Sequence, residues 1–158
     1  FSKIYKKNWL QMMRNKLGLL GEDLKDESLI IDLLTWMHQN KADYTNTFCV
    51  LMNKNIKKDK IYTDENFLGW KEQWQERIKM HNNSPEKSLK LMRSANPLVI
   101  PRNHKVEEAL EAANNDDLNP MKNLLKVLEK PYENQEGISE YQSPAPVSDI
   151  KYQTFCGT

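Results

Sequence analysis

The sequence predicts an all-α domain, and three observations predict it. Apolar residues recur at three- and four-residue spacing in one stretch after another. Helix-start residues stand between those stretches. No segment alternates apolar and polar residues over strand length; "PLVIP" at 97–101 is the nearest, and prolines bracket it. The expectation is about seven helices in an irregular bundle over residues 1–130, followed by an extended tail over 131–158.

Each helix has its stripe. Tyr5, Trp9, Met12, Met13 and Leu17 mark the first, and Leu29, Ile30, Leu33, Leu34 and Met37 the second. Tyr44, Phe48, Leu51 and Met52 form a third, which Asp43 is placed to cap. Phe67, Trp70, Trp74 and Ile78 form a fourth with a strongly charged back face. Leu89, Met92 and Ala95 follow "SPE", where Ser84 reads as an N-cap and Pro85 as the first helical residue. Val106, Ala109, Leu110 and Ala113 make the sixth stripe, with Asn103 as its expected cap. Met121, Leu124, Leu125 and Leu128 make the seventh, behind Asn119 and Pro120. After Pro131 proline and glycine return, and Tyr132, Tyr141, Tyr152 and Phe155 are the residues that could pin a tail to a surface.

Composition narrows the function classes. The chain has 158 residues, 39% hydrophobic and 28% charged, enough for one domain with a core. Its 23 basic residues are balanced by 22 acidic ones, which argues against a nucleic-acid partner. No apolar run approaches the ~20 residues that span a bilayer, so no membrane partner is expected. The first residues, "FSKIYKKNWL", are too charged for a signal peptide and lack an initiating Met, as at a cut edge. Two cysteines make no disulfide framework and point to a reducing, cytoplasmic setting.

The search for chemistry finds little. There is no phosphate-binding glycine loop, no G-x-S-x-G and no kinase catalytic motif. His38, His81 and His104 lie far apart and no C-x-x-C exists, so no metal site is expected. Glu107, Glu108 and Glu111 read as a solvated helix face before an acid–base pair. Trp9, Trp36, Trp70 and Trp74 lie on or beside apolar stripes, and core packing outweighs a ligand cage. Lys54, Lys57, Lys58 and Lys60 read as a solvated loop. Asn96, Arg102 and Asn103 flank "LVIP" and are expected as polar anchors at two helix ends, or as contacts to a neighbouring lobe. Cys49 falls on an apolar stripe, where a buried, inert thiol is expected. Cys156, in "FCGT", has nothing local to bury it.

Several segments together carry a resemblance. "MMRNKLGL", "DLLTWMHQNKADYTNTF", "NPLVIPRNHKVEEALEAANNDD", "LLKVLEKPY" and the final "CGT" occur in the order that resembles the C-terminal part of the selenoprotein O (SelO, YdiU-like) protein adenylyltransferases. The resemblance implies a parent with a protein-kinase-like, pseudokinase fold. That parent would use ATP and magnesium, or manganese, to transfer AMP to Ser, Thr or Tyr of protein substrates. Such chemistry needs cations and metal to clamp the triphosphate and an acceptor hydroxyl held in line. The family's catalytic residues match nothing in this chain, so no catalytic, cofactor-binding or metal-binding residue is assigned and no cofactor is expected in this chain itself. The resemblance implies a supporting helical region, inactive alone, partnered by the upstream kinase-like domain of a bacterial, cytoplasmic protein. It also implies a redox role for Cys156, which matches the family's near-terminal cysteine or selenocysteine. Two alternatives stand beside it: a free-standing helical protein-interaction module, and a nucleic-acid binder using the basic loop.

Overall fold

A computed structural model describes residues 2–52, 60–80 and 84–145. In order they form α1 (Ser2–Leu17), α2 (Asp26–Gln39), α3 (Tyr44–Met52), a 3-10 turn (Lys60–Thr63), α4 (Glu65–Lys79), α5 (Pro85–Ala95), α6 (Asn103–Asn114), α7 (Asn119–Leu128) and α8 (Ser139–Gln142). Among the described residues there is no strand, and the chain is all-α. The first seven helices fall on the seven predicted stripes. The eighth lies in the stretch expected to be extended: Ile138, just before it, is only 6% exposed, because it packs with Val99 and Val127.

The main core lies among α1 to α5. α1 packs against α5 and α2 against α4, with α3 against α1 and α5. Met13, Leu17, Ile30, Leu33, Phe48 and Phe67 are fully buried there. A run of aromatic rings threads it: Trp36 lies 4.5 Å from Phe67, and Trp70 stacks on Trp74 at 6.0 Å. A buried indole must place its N–H. Trp70 donates to the Leu29 carbonyl and Trp74 to that of Leu17, both at 2.8 Å. Trp36 donates to Asp64, whose carboxylate also accepts the Phe67 N–H and so caps α4.

Helix ends follow the local chemistry with two exceptions. Ser84 caps α5 by accepting from the Lys87 N–H, with Pro85 first in the helix. Asp43 caps α3 by accepting from the Asn46 N–H at 2.8 Å. Asn103 differs from its expected role: it is the first residue of α6, exposed, and Arg102 holds the cap position. At α7 Asn119 is likewise the first helical residue: Leu118 holds the cap position, and Asp117 before it accepts the Asn119 N–H at 3.0 Å. The end of α1 is set by Gly18. The Gly18 N–H donates to the Asn15 carbonyl and the Leu19 N–H to that of Arg14, an αL stop with Gly18 at φ +68°. A Cβ at Gly18 would sit 2.8 Å from the Ser88 carbonyl oxygen, so only glycine lets α1 approach α5 this closely.

α6 packs against α7, and α7 contributes Val127 to a smaller cluster with Val99 and Ile138. The stripes of both helices are only partly buried: Ala109, Leu124 and Val127 point inward, while Leu110 and Leu125 are exposed. The seventh stripe is thus rotated, with Val127 in the place expected of Leu125.

Candidate functional site

Two of the most distinctive segments, "ADYTNTF" and "NPLVIPRN", meet in space. Arg102 grips Asp43 with both ends of its guanidinium, at 2.7 Å and 3.0 Å, and adds a 3.2 Å bond to the Asn46 side-chain oxygen. The fork geometry suits a carboxylate. Burial pushes the Asp43 carboxyl up, but the Arg102 bonds and the helix-cap N–H groups outweigh it and hold it below the ordinary carboxylate value. Thr47 completes the motif: its hydroxyl donates to the Asp43 carbonyl at 2.7 Å and lies 3.1 Å from the Tyr62 hydroxyl. One arm of Arg102 is left over, since its Nε is buried with no hydrogen-bond partner among the described residues.

Asn96 closes the other side of the junction and is 1% exposed. Its amide donates to the Lys16 carbonyl at 2.8 Å and to the Met92 carbonyl at 2.9 Å, tying the ends of α1 and α5 together. Its oxygen accepts from the Lys16 ammonium at 3.2 Å. That ammonium lies over the Phe48 and Tyr44 rings, 4.9 Å and 5.3 Å from their centroids. Burial lowers the Lys16 pKa. Asn96 and Arg102 therefore sit at one junction of α1, α3 and α5, while Asn103 points away from it into solvent.

Cys49 lies between these groups at 2% exposure, its thiol donating to the Pro97 carbonyl at 3.7 Å. Burial first, then the Asp43 charge, pushes its pKa up to about 11 against the opposing pull of Arg102 and Lys16. At neutral pH it is a protonated thiol and a poor nucleophile. The junction therefore ties α1, α3 and α5 together through bonded polar groups.

Other candidates disperse. Glu107, Glu108 and Glu111 are exposed, and Glu108 pairs with Lys105 at 2.8 Å. His38 is exposed and His104 half-buried, and among the described residues no group of three His, Cys, Asp or Glu side chains could hold a metal. Among the same residues no helix is long and apolar enough to cross a membrane. Cys156, His81, Lys54, Lys57 and Lys58 lie outside the described residues.

Sequence reasoning missed a second junction. Asp26, with no exposed side-chain surface, accepts from the Arg14 Nε and the Arg77 Nε, both at 2.7 Å. Arg77 also reaches the Leu20 and Gly21 carbonyls. Burial alone would raise the Asp26 carboxyl, but the Arg77 and Arg14 bonds hold it below its ordinary value. These partners stand far apart in the chain, so no local spacing marks them.

Residues 1–129 match the family model described as protein adenylyltransferase SelO. The whole chain is 55% identical to the protein nucleotidyltransferase YdiU of Pelagibacter ubique, 45% to that of Alcanivorax borkumensis and 47% to that of Clostridium botulinum strain 657. It covers 33%, 33% and 32% of those proteins, so it spans about a third of the length of the curated relatives it matches. The chain belongs to the SelO protein adenylyltransferase family, as a fragment of it.

Proposed function

We propose that this chain is the helical C-terminal region of a bacterial, cytoplasmic protein adenylyltransferase, inactive by itself and supporting a kinase-like core. The parent moves AMP from ATP onto Ser, Thr or Tyr hydroxyls of proteins, with ATP and magnesium or manganese held by the remainder of the protein. The observation that carries the reading is the family match together with the third of the relatives' length that the chain spans. The surface supports it. On α1, Ile4 is 70% exposed and Tyr5 65%, and Met12 stands on the same side of the helix. Spacing of this kind is the apolar face of an amphipathic helix, and here it lacks a cover among the described residues. The remainder of the parent protein is its proposed cover.

Cys156 is proposed as a redox contact to a cysteine of that remainder. Cys49 is unsuited to be its partner, because its thiol is buried and stays protonated at neutral pH.

Calorimetric titration of Mg·ATP tests the reading. The full-length parent is expected to bind, and this chain alone is not. Saturable, stoichiometric binding by these 158 residues would overturn it.

A further inference from the structure

The α6–α7 pair has an outward face that is apolar at its centre. The two helices pack together across the short connection 115–118, so they run antiparallel. Lys105 of α6 pairs with Glu140 of α8, and Val127 of α7 packs with Ile138, so these residues mark the flank that meets the rest of the domain. At about 100° per residue, Leu110 lies about 140° round α6 from Lys105, and Leu125 about 160° round α7 from Val127. In an antiparallel pair both leucines then fall on the opposite, outward side. Leu118 stands at the turn end of that side, two helical turns before Leu125. Leu110 is 46% exposed, Leu118 49% and Leu125 56%.

The charges around the two leucines follow one pattern with opposite sign. On α6, glutamates stand three residues before Leu110 and one after it, at Glu107 and Glu111. On α7, lysines stand at the same offsets from Leu125, at Lys122 and Lys126. All four are exposed. Among the described residues Glu111, Lys122 and Lys126 form no ion pair. An acidic row and a basic row lying side by side about an apolar centre make a face complementary to itself. A two-fold axis parallel to the helices lays α6 of one copy over α7 of the other. Leu110 then meets Leu125, and Glu111 comes within reach of Lys122, each contact occurring twice. An axis at right angles would stack α6 on α6 and glutamate on glutamate, so charge selects the first arrangement. Asp116 and Asp117 stand at the turn end, where the two copies bring them together. That like-charge cost and the modest apolar area place the contact among the weak ones.

We propose that this face joins two copies of the chain in a weak two-fold dimer, with Leu110 and Leu125 at its centre and Glu111 of each copy paired with Lys122 of the other. The second copy is the occupant the charges favour, because it alone supplies both rows in the matching register. The face is separate from the one on α1 assigned to the remainder of the parent. The proposal stands apart from the AMP-transfer reading, since it rests on this chain's own surfaces.

Sedimentation equilibrium tests it, on the full-length parent and on this chain, at concentrations up to about 1 mM, where a contact of this class still shows. Both are expected to shift from monomer to dimer. Leu125→Asp is expected to weaken the dimer by about tenfold or more, with an unchanged melting curve as the control for folding. Glu111→Lys and Lys122→Glu are each expected to weaken it several-fold, and the two combined to restore it. A parent that stays monomeric throughout overturns the proposal, and if this chain alone dimerises, the remainder of the parent covers the face instead. Association of this chain that survives Leu125→Asp and is lost with Ile4→Asp also overturns it, because the contact then runs through α1. So does a double charge reversal that restores nothing.

Discussion

The two apolar clusters of this domain are built differently. In the first, among α1 to α5, large rings fill the interior and each buried indole N–H reaches a carbonyl or a carboxylate. Buried ions there are also bonded, with Asp26 between Arg14 and Arg77. In the second, three aliphatic residues, Val99, Val127 and Ile138, meet where the stretch before α6, α7 and the approach to α8 come together. The connection at Leu98 and Val99, whose N–H groups both donate to the Pro131 carbonyl, holds that cluster in place. The difference teaches that stability here is concentrated. Apolar area and polar satisfaction coincide in one cluster, and the other leaves Leu110 and Leu125 in water.

The sharpest way to break the comparison is at Asp26. Asp26→Asn removes the carboxylate that two nearly buried guanidinium groups share, leaving Arg14 only the exposed Glu22 at 3.4 Å, and is expected to cost ~3–5 kcal/mol by urea denaturation. Its carboxyl lies below the ordinary value when folded, so its stabilisation is complete above the unfolded carboxylate pKa and is lost as pH falls through the folded one. Stability of the unsubstituted chain is therefore expected to drop below about pH 4. Asp26→Asn should flatten that acid limb, leaving the smaller share due to Asp43. An unchanged acid limb would remove the ion cluster from the account.

The second comparison is between the cores. Phe67→Ala, in the ring stack, is expected to cost ~3–5 kcal/mol. Val127→Ala, in the small cluster, removes about two methylene equivalents and is expected to cost ~1.6 kcal/mol. Equal losses would mean that the second cluster carries more of the fold than its residues suggest. At the junction, Arg102→Ala removes charge-assisted bonds to Asp43, and a loss of ~1.5–3 kcal/mol is expected from the melting curve. No loss of melting temperature would show that Arg102 does not anchor the fold. The smallest effect expected has the opposite sign. Ser88 Oγ is buried with no partner among the described residues, so Ser88→Ala should be neutral or stabilise by up to ~1 kcal/mol.

Most of the helices were legible in the sequence because helix formation is advertised locally. A stripe at three- and four-residue spacing, a Ser84–Pro85 start or an Asp43 cap each needs only a few neighbouring residues. Legibility failed where a second element had a say. The seventh stripe could be drawn through Leu125 or Val127, and the contact with Val99 and Ile138 chose Val127. Residues from Pro131 onward looked extended because Pro and Gly break periodicity, yet Ile138 found the same cluster and α8 formed beside it. Asn103 looked like a cap, but the Arg102 side chain is drawn to Asp43 and its backbone takes the cap position.

By itself the sequence determined the fold class, the seven principal helices and the resemblance to the SelO family, because spacing, caps and ordered segments are properties of the chain taken in line. Only the tertiary structure decided which motifs belong together. Arg102 meets Asp43 and Asn46, Asn96 ties α1 to α5, and Asp26 lies between Arg14 and Arg77. A buried charge or amide must find its partner wherever the packing puts one, and distance along the chain carries no record of that choice.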